Sequence, residues 1–373
     1  RDGVVEIAVI EARLGKINVD IKEGARLSES LMRNIVNYHL REGDLVTETG
    51  LETPLLLLND LPNAVVVSEI KPSQTIGAAD ITVRVTDAPG FASGQIGLDN
   101  YGNRYTGAYR ATFDLNISNP LGIGDQLSFS DIRTDDKMVI DRYSYAFPVG
   151  PLGTRLNLSW TQFHYQLGKD FAPFLSHGVG TIASFSVFHP LIRTRGGNLI
   201  FQYYYDEKSL SDRSDSVNLI LDRTVVGNHF GVLGDFRDSQ FGGALNSYSY
   251  TLMEGYNTIH QPGAYSADQS ATGRSTSGRF RKNNFEFRRL QKITDNTNLL
   301  VTLQGQLSSK NLTSVEKFSL GGPNGVRAYP TGEGLGDNAY IFQAELRYAI
   351  PGFKVFDGDV SAMGFWDQGY VLL

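Results

Sequence analysis

The residues able to do covalent or metal chemistry are few and scattered. The chain has no cysteine, which removes thiolate nucleophiles, thiolate metal sites and disulfides together. Its six histidines form no His-x-x-x-His pair and no Ser/His/Asp set. The acidic run Asp206, Glu207, Asp212 and Asp215 lacks the spacing of a calcium loop and reads as a solvated extracellular loop. Gly321, Gly322 and Gly325 surround Pro323 and Asn324, but the Gly-Lys-Ser/Thr of a phosphate loop is missing and no helix follows. No catalytic residue, metal site or cofactor is therefore expected. By residue type alone Arg327 is an ordinary loop arginine. What such a charge could do depends on the elements around it.

Composition narrows the classes. At 373 residues the chain can hold two domains or one large barrel. The net charge of −6 offers no basic stripe for a nucleic acid. Glycine is abundant (40 residues), as are Phe (21) and Tyr (18), while Trp is scarce (2). No apolar run approaches the ~18–20 residues of a membrane helix. A transmembrane barrel has the same unremarkable hydropathy, because its lipid-facing and lumen-facing residues alternate and average out.

Residues 11–88 carry two periods. Lys16 to Ile21 alternates apolar and polar, as a half-buried strand does. Leu27, Leu31, Ile35 and Tyr38 then recur at helical spacing, with Ser28 ahead of Leu31 and Gly43 after. A second helix is predicted over 46–58, and strands over 64–70 and 81–85. Strand, helix, helix, strand, strand makes a small α+β unit with its own core. Val4 to Ile10 reads as a further strand, and Pro89-Gly90 as a linker.

From Phe91 onward period-two segments follow one another. Tyr143, Tyr145 and Phe147 alternate with Arg142, Ser144 and Ala146; Phe342, Leu346 and Tyr348 alternate with Gln343, Glu345 and Arg347. Many segments reach the ~9–11 residues that a tilted membrane strand requires. Tight turns at 119–124, 148–153 and 291–296 separate long polar stretches at 168–178, 206–223, 256–277 and 311–336. Short turns on one side and long loops on the other are the outer-membrane pattern. Tyr101, Tyr105, Phe147 and Tyr165 near segment ends suit interfacial girdles, and His164 and His189 suit the interface or lumen. Residues 216–236 read as one long strand. About eleven segments precede the loop at 311–336 and two follow it; an odd total cannot close a bacterial single-chain barrel, so the terminal strands are expected to lie outside this sequence.

Residues 318–330 read Phe-Ser-Leu-Gly-Gly-Pro-Asn-Gly-Val-Arg-Ala-Tyr-Pro, and 364–369 read Gly-Phe-Trp-Asp-Gln-Gly. The first resembles the Val-Arg-Gly-Tyr/Phe loop of two-partner secretion transporters, the haemolysin and filamentous-haemagglutinin secretion-activation family. The second resembles that family's Phe-x-Asp-x-Gly strand. Ala328 departs from the family's usual glycine. The resemblance implies a lock in which Arg327 reaches into the barrel and pairs with Asp367, within a motif that includes Gly325, Val326, Tyr329, Phe365 and Gly369. The alternation agrees, since Ala362, Gly364 and Trp366 toward lipid leave Phe365 and Asp367 toward the lumen.

The resemblance covers the whole chain. It implies an all-β membrane fold, an antiparallel transmembrane β-barrel of sixteen strands in the family with about thirteen here, preceded by a polypeptide-transport-associated (POTRA) domain. Residues 1–10 would be the last strand of a first POTRA domain, 11–88 a second, and 89–373 the barrel with a lumen loop at 311–336. The implied function is secretion of a partner exoprotein, adhesin- or haemolysin-like, engaged through its N-terminal secretion domain. The location would be the bacterial outer membrane, with lipid and lipopolysaccharide around a monomer and the POTRA domain in the periplasm. The edge strand Val65, Val66, Val67, Ser68 and Glu69 could add the extended client as a new strand. The alternative is a barrel-assembly factor of the same superfamily. An outer-membrane lipase or protease would need an interfacial nucleophile and base, which the sequence does not offer.

Overall fold

The computed structural model describes residues 11–22, 25–88 and 90–373. The strand expected over Val4–Ile10 and the Pro89 half of the linker lie outside the described residues.

The first unit is β1 (Arg13–Ile21), α1 (Glu29–His39), α2 (Glu48–Asn59), β2 (Ala64–Pro72) and β3 (Ala78–Asp87). β3 is central, parallel to β1 and antiparallel to β2. Ser28 stands at the N-cap of α1, and Arg33 pairs with Glu29 one turn back at 2.6 Å. The buried face of α1 is Met32, Ile35 and Val36, whereas Tyr38, predicted on that stripe, is half exposed. The helix ends at His39 with Leu40 as its C-cap, and at 3.6 residues per turn Tyr38 lies roughly 120° around the axis from Met32, off the buried stripe. α2 begins at Glu48, where the Thr47 side chain accepts from the Gly50 N–H. Leu58, Ile81 and Val83 close the core from α2 and the sheet and are fully buried.

The remaining long strands form one antiparallel sheet: β4 (Ala92–Asp99), β5 (Arg110–Ser118), β6 (Gln126–Thr134), β7 (Val139–Val149), β8 (Thr154–Gln166), β9 (Ser176–Arg193), β10 (Gly197–Ser214), β11 (Leu219–Asp238), β12 (Ala244–Ile259), β13 (Gly278–Lys292), β14 (Thr297–Ser308), β17 (Asn338–Val355) and β18 (Gly358–Leu372). All thirteen pair with their sequence neighbours, and β14 meets β17 across an insertion that carries the short pair β15 (Phe318–Ser319) and β16 (Leu335–Gly336). One face of this wall is apolar and bare: Ile96, Leu158, Trp160, Phe230, Leu346 and Trp366 are large exposed hydrophobics on it. A contiguous apolar surface of that extent is stable only against another apolar phase. The opposite face carries the buried polar groups Asp206, Arg223, Lys282, Gln306 and Glu345. A transmembrane β-barrel wall has this distribution.

Three expectations are corrected here. The polar stretch 206–223 is not a loop. β10 continues to Ser214 and β11 starts at Leu219, so only four residues turn between strands of 18 and 20 residues. Asp206 and Asp212 are wall residues: Asp206 is 6% exposed beside Lys208, and Asp212 binds Arg223. Charged residues at alternate positions resemble a loop because they face the lumen at the end of very long strands. Tyr165 also faces inward, donating to Asp212 Oδ1 at 2.6 Å, and does not join the lipid-side girdle. Finally, the stretch 256–277 is not all loop: β12 continues to Ile259, and α3 (Pro262–Asp268) follows with proline in its first turn, where its missing N–H costs nothing.

Candidate functional site: the inward loop and the periplasmic mouth

The insertion between β14 and β17 folds into the lumen rather than out into solvent. Arg327 lies at its tip. Its Nε donates to Asp367 Oδ2 and its Nη2 to Asp367 Oδ1, both at 2.8 Å, and its own backbone N–H adds a third bond to Oδ2 at 3.1 Å. Its remaining Nη1 donates to Glu345 Oε2 at 2.7 Å. The guanidinium thus spends both prongs of its fork on one carboxylate and its third nitrogen on another, which a lysine could not do. Its flat face lies 3.7 Å from the Phe365 ring centre, within cation–π range.

Strand register positions these partners. Glu345 on β17 stands opposite Phe365 on β18, and Gln343 stands opposite Asp367. Period two then puts all four on the inner face. Gln343 donates to the Gly325 carbonyl at 2.8 Å, and Gln304 to the Asn324 carbonyl at 2.9 Å, so the turn before Arg327 is held as well. Gly369 has a packing reason: a Cβ there would lie 2.7 Å from Val326 Cγ2 and 3.0 Å from Leu320 Cδ2. The Val326 side chain occupies the place a larger residue would need. Ala328 does not adopt positive φ, so its methyl group brings no backbone strain. Tyr329 is 57% exposed and makes its backbone bond to the Val326 carbonyl.

Glu345 escaped the sequence reading. Its position on the polar face of an alternating strand was legible, but nothing in that alternation says which inward acid will meet the loop. Around the lock lies a polar space of about 500 Å³ bordered by Glu286, Arg288, Thr302 and Arg347.

At the other end of the wall the small unit sits against the short turns. Asp60 receives Arg193 on both oxygens, at 2.6 and 2.8 Å, and its carbonyl accepts from Arg155 at 3.0 Å. Glu52 pairs with Arg195 at 3.1 Å, and Ser28 N–H donates to the Gly122 carbonyl at 2.7 Å. Gly153 has φ +77°, and a Cβ on it would overlap the side chain of Leu57. His39 Nε2 lies 3.3 Å from the Pro151 carbonyl. Burial pulls its pKa below the ordinary value, and the contact with Pro151 opposes that shift. Between the two parts lies a cavity of about 340 Å³, lined by Ile35, Leu57 and Leu61 on one side and Phe188, Pro190 and Ile200 on the other.

β2 forms an edge of the small sheet, with Val65 and Val67 exposed. The edge is partly closed. Val66 N–H, which points away from β3, donates to Asn59 Oδ1 at 3.1 Å, and Ala64 N–H donates to the Leu61 carbonyl at 3.2 Å. Period two places the next outward N–H groups at Ser68 and Ile70. A hydrogen bond from Lys71, and then its charge, hold the Glu69 carboxyl below the usual carboxylate range, with Arg84 adding to the effect. A charged edge resists uncontrolled strand pairing. Among the described residues no cluster of His, Asp or Glu has the geometry of a metal site.

Comparison with known proteins gives a consistent picture. A family model described as haemolysin secretion/activation protein ShlB/FhaC/HecB matches residues 77–373. The chain is 24% identical over 370 residues to the heme/hemopexin transporter protein HuxB of Haemophilus influenzae strain 86-028NP, covering 99% of this chain and 64% of that protein. It is 26% identical over 384 residues to the outer membrane transporter CdiB of Escherichia coli, covering 99% and 61%. The chain therefore spans less than two thirds of the length of these relatives. Among solved structures, CdiB from Escherichia coli superposes with TM-score 0.75 at 20% identity, covering 97% of this chain and 66% of that one. BamA from Haemophilus ducreyi lacking POTRA domains 1–3 gives 0.59 at 13% identity, covering 96% and 72%. At these identities the structural likenesses speak for the fold alone.

Proposed function

The chain belongs to the haemolysin secretion/activation protein family (ShlB/FhaC/HecB), and from that premise we propose that it forms the translocating part of a two-partner secretion transporter in the bacterial outer membrane. It passes an exoprotein client from periplasm to cell surface and performs no catalysis. Residues 11–88 are its POTRA domain on the periplasmic side. Lipid and lipopolysaccharide surround a monomeric barrel.

The observation that carries this reading is the three-bond contact of Arg327 with Asp367 inside the wall. A loop fastened in the lumen obstructs the path and must be released for a chain to pass. The inner face offers an unfolded chain hydrogen bonds from mixed charges and amides without an apolar surface to trap it. The client first adds as a strand to β2, at the stretch whose outward N–H groups begin at Ser68. Its folding outside the cell makes return unfavourable.

Asp367→Arg in the full-length protein tests the reading. Client secretion should fall sharply while the barrel still inserts in the membrane. Normal secretion with normal insertion would overturn the role of the lock. Ser68→Pro should weaken client binding to the periplasmic face; Val66→Pro should do less, because that N–H is already taken by Asn59. The assembly-factor reading is separated by the same strains, since it requires that other outer-membrane barrels, rather than one exoprotein, be depleted.

A further inference from the structure

The lumen loop is fastened a second time, at its root, by groups outside the Arg327 motif. Glu316 is 1% exposed, yet it is ionisable and lies between two lysines of the wall. Lys282 on β13 reaches Glu316 Oε2 at 2.7 Å, and Lys208 on β10 contacts Oε1. Lys208 is itself 3.3 Å from Asp206, which also has His229 Nε2 at 3.3 Å, so two lysines and two carboxylates meet here with an imidazole beside them. Gln306 donates to the carbonyls of Glu316 and Asp337, each at 3.1 Å. The adjoining Lys317 pairs with Asp337 at 2.7 Å, both nearly buried, and Asp337 also accepts from the Leu312 N–H at 2.9 Å. Leu312 is 1% exposed among Val225, Met253 and Phe280. Lys317 and Asp337 stand immediately outside the β15–β16 pair, so they close the base of a hairpin arm that carries Arg327 at its far end.

The two fastenings are unequal. At the tip, the Arg327 side chain is 22% exposed, beside a polar space from which water can take over its partners. At the root, freeing Glu316 would strand Lys208 and Lys282 at sites that are about nine-tenths enclosed. The departing groups differ: Glu316 is itself enclosed at 1% exposure, whereas Arg327 leaves from a face that water already reaches, although its partners Asp367 and Glu345 are 5% and 9% exposed.

We propose that Glu316 is a positioning residue that fixes the root of the loop, so that release of Arg327 swings the 318–336 arm about this post instead of expelling the loop as a whole. The inference rests on the translocation reading for its purpose, but not for its test.

The test is spin labelling of the full-length protein in lipid vesicles. These 373 residues contain no cysteine, so Val315→Cys reports the root and Ala328→Cys, in a separate sample, the tip. Arg327→Ala should narrow the tip spectrum and leave the root spectrum broad. Glu316→Gln should narrow both. If Glu316→Gln does not insert, Lys282→Gln replaces it, with the same loosening expected at the root. Equal loosening of root and tip by Arg327→Ala would overturn the proposal, as would a root left rigid by Glu316→Gln. No secretion is read, so a failed hinge and a failed transporter assignment remain distinct results.

Discussion

Residues 11–88 keep their apolar side chains inside, and the thirteen-stranded wall keeps its own outside. In the small unit Val36, Leu58, Ile81 and Val83 have no solvent exposure, while its charges line the surface. In the wall Leu158, Trp160 and Trp366 are bare, and the enclosed residues are Asp206, Lys282, Gln306 and Glu345. Both parts use alternating strands. The difference lies in what each face meets: water surrounds one, and lipid surrounds the other around an aqueous bore. Enclosed polar groups carry a desolvation cost unless they are paired, which explains why the lumen is so densely bridged while the core among the described residues of the small unit is apolar.

Four perturbations would sharpen or break this contrast. The largest effect is expected from Leu58→Ala, which opens a cavity in the small core and should destabilise that unit by about 2–5 kcal/mol. Protease sensitivity of residues 11–88 should rise while the heat-modifiable barrel band persists. Loss of both together would mean that the two parts fold as one. Next, Trp366→Arg puts a cation on the lipid face of β18 and should cost about 2–4 kcal/mol near mid-membrane and less toward the interface. Denaturant titration of vesicle-inserted protein measures it, and an unchanged midpoint would place that face against protein or water.

A smaller effect, about 1–3 kcal/mol, is expected for Arg327→Lys, which keeps the charge but loses the two-pronged bond to Asp367. Single-channel conductance should show more frequent openings; wild-type gating would mean that charge alone holds the tip. The smallest effect concerns pH at the mouth. Burial holds His39 below its ordinary pKa of about 6.5 in the folded small unit. The unfolded form therefore binds the proton first. The contribution of His39 to the stability of the unit is full above pH ~6.5 and is lost as pH falls through the lowered value. Hydrogen exchange across 28–40 should increase between pH 7.5 and 5.5, and His39→Gln should reduce that pH step.

Much of the architecture was legible because it is local. Period-two alternation with inward charges and outward aromatics defines a barrel wall wherever it occurs, and the eleven segments before the loop and two after it match the thirteen paired strands. The same rule placed Asp367 and Glu345 on the inner face. It could not tell a strand that outruns the membrane from a loop, because Asp206 and Asp212 look solvated until Tyr165 on β8, Lys208 on β10, and Arg223 and His229 on β11 are brought alongside.

Sequence alone determined the alternating wall, the two helical stretches of the small unit, and the face on which residues such as Asp367 and Glu345 lie. These follow from backbone geometry and spacing over a few residues. Only the tertiary structure decided which charges meet. Arg327 finds Glu345 as well as Asp367, Glu316 finds Lys208 and Lys282, and Asp60 finds Arg193 across the mouth. These contacts depend on strand register and on the path of an inserted loop, and both are set by the sum of many pairings that no single stretch of sequence contains.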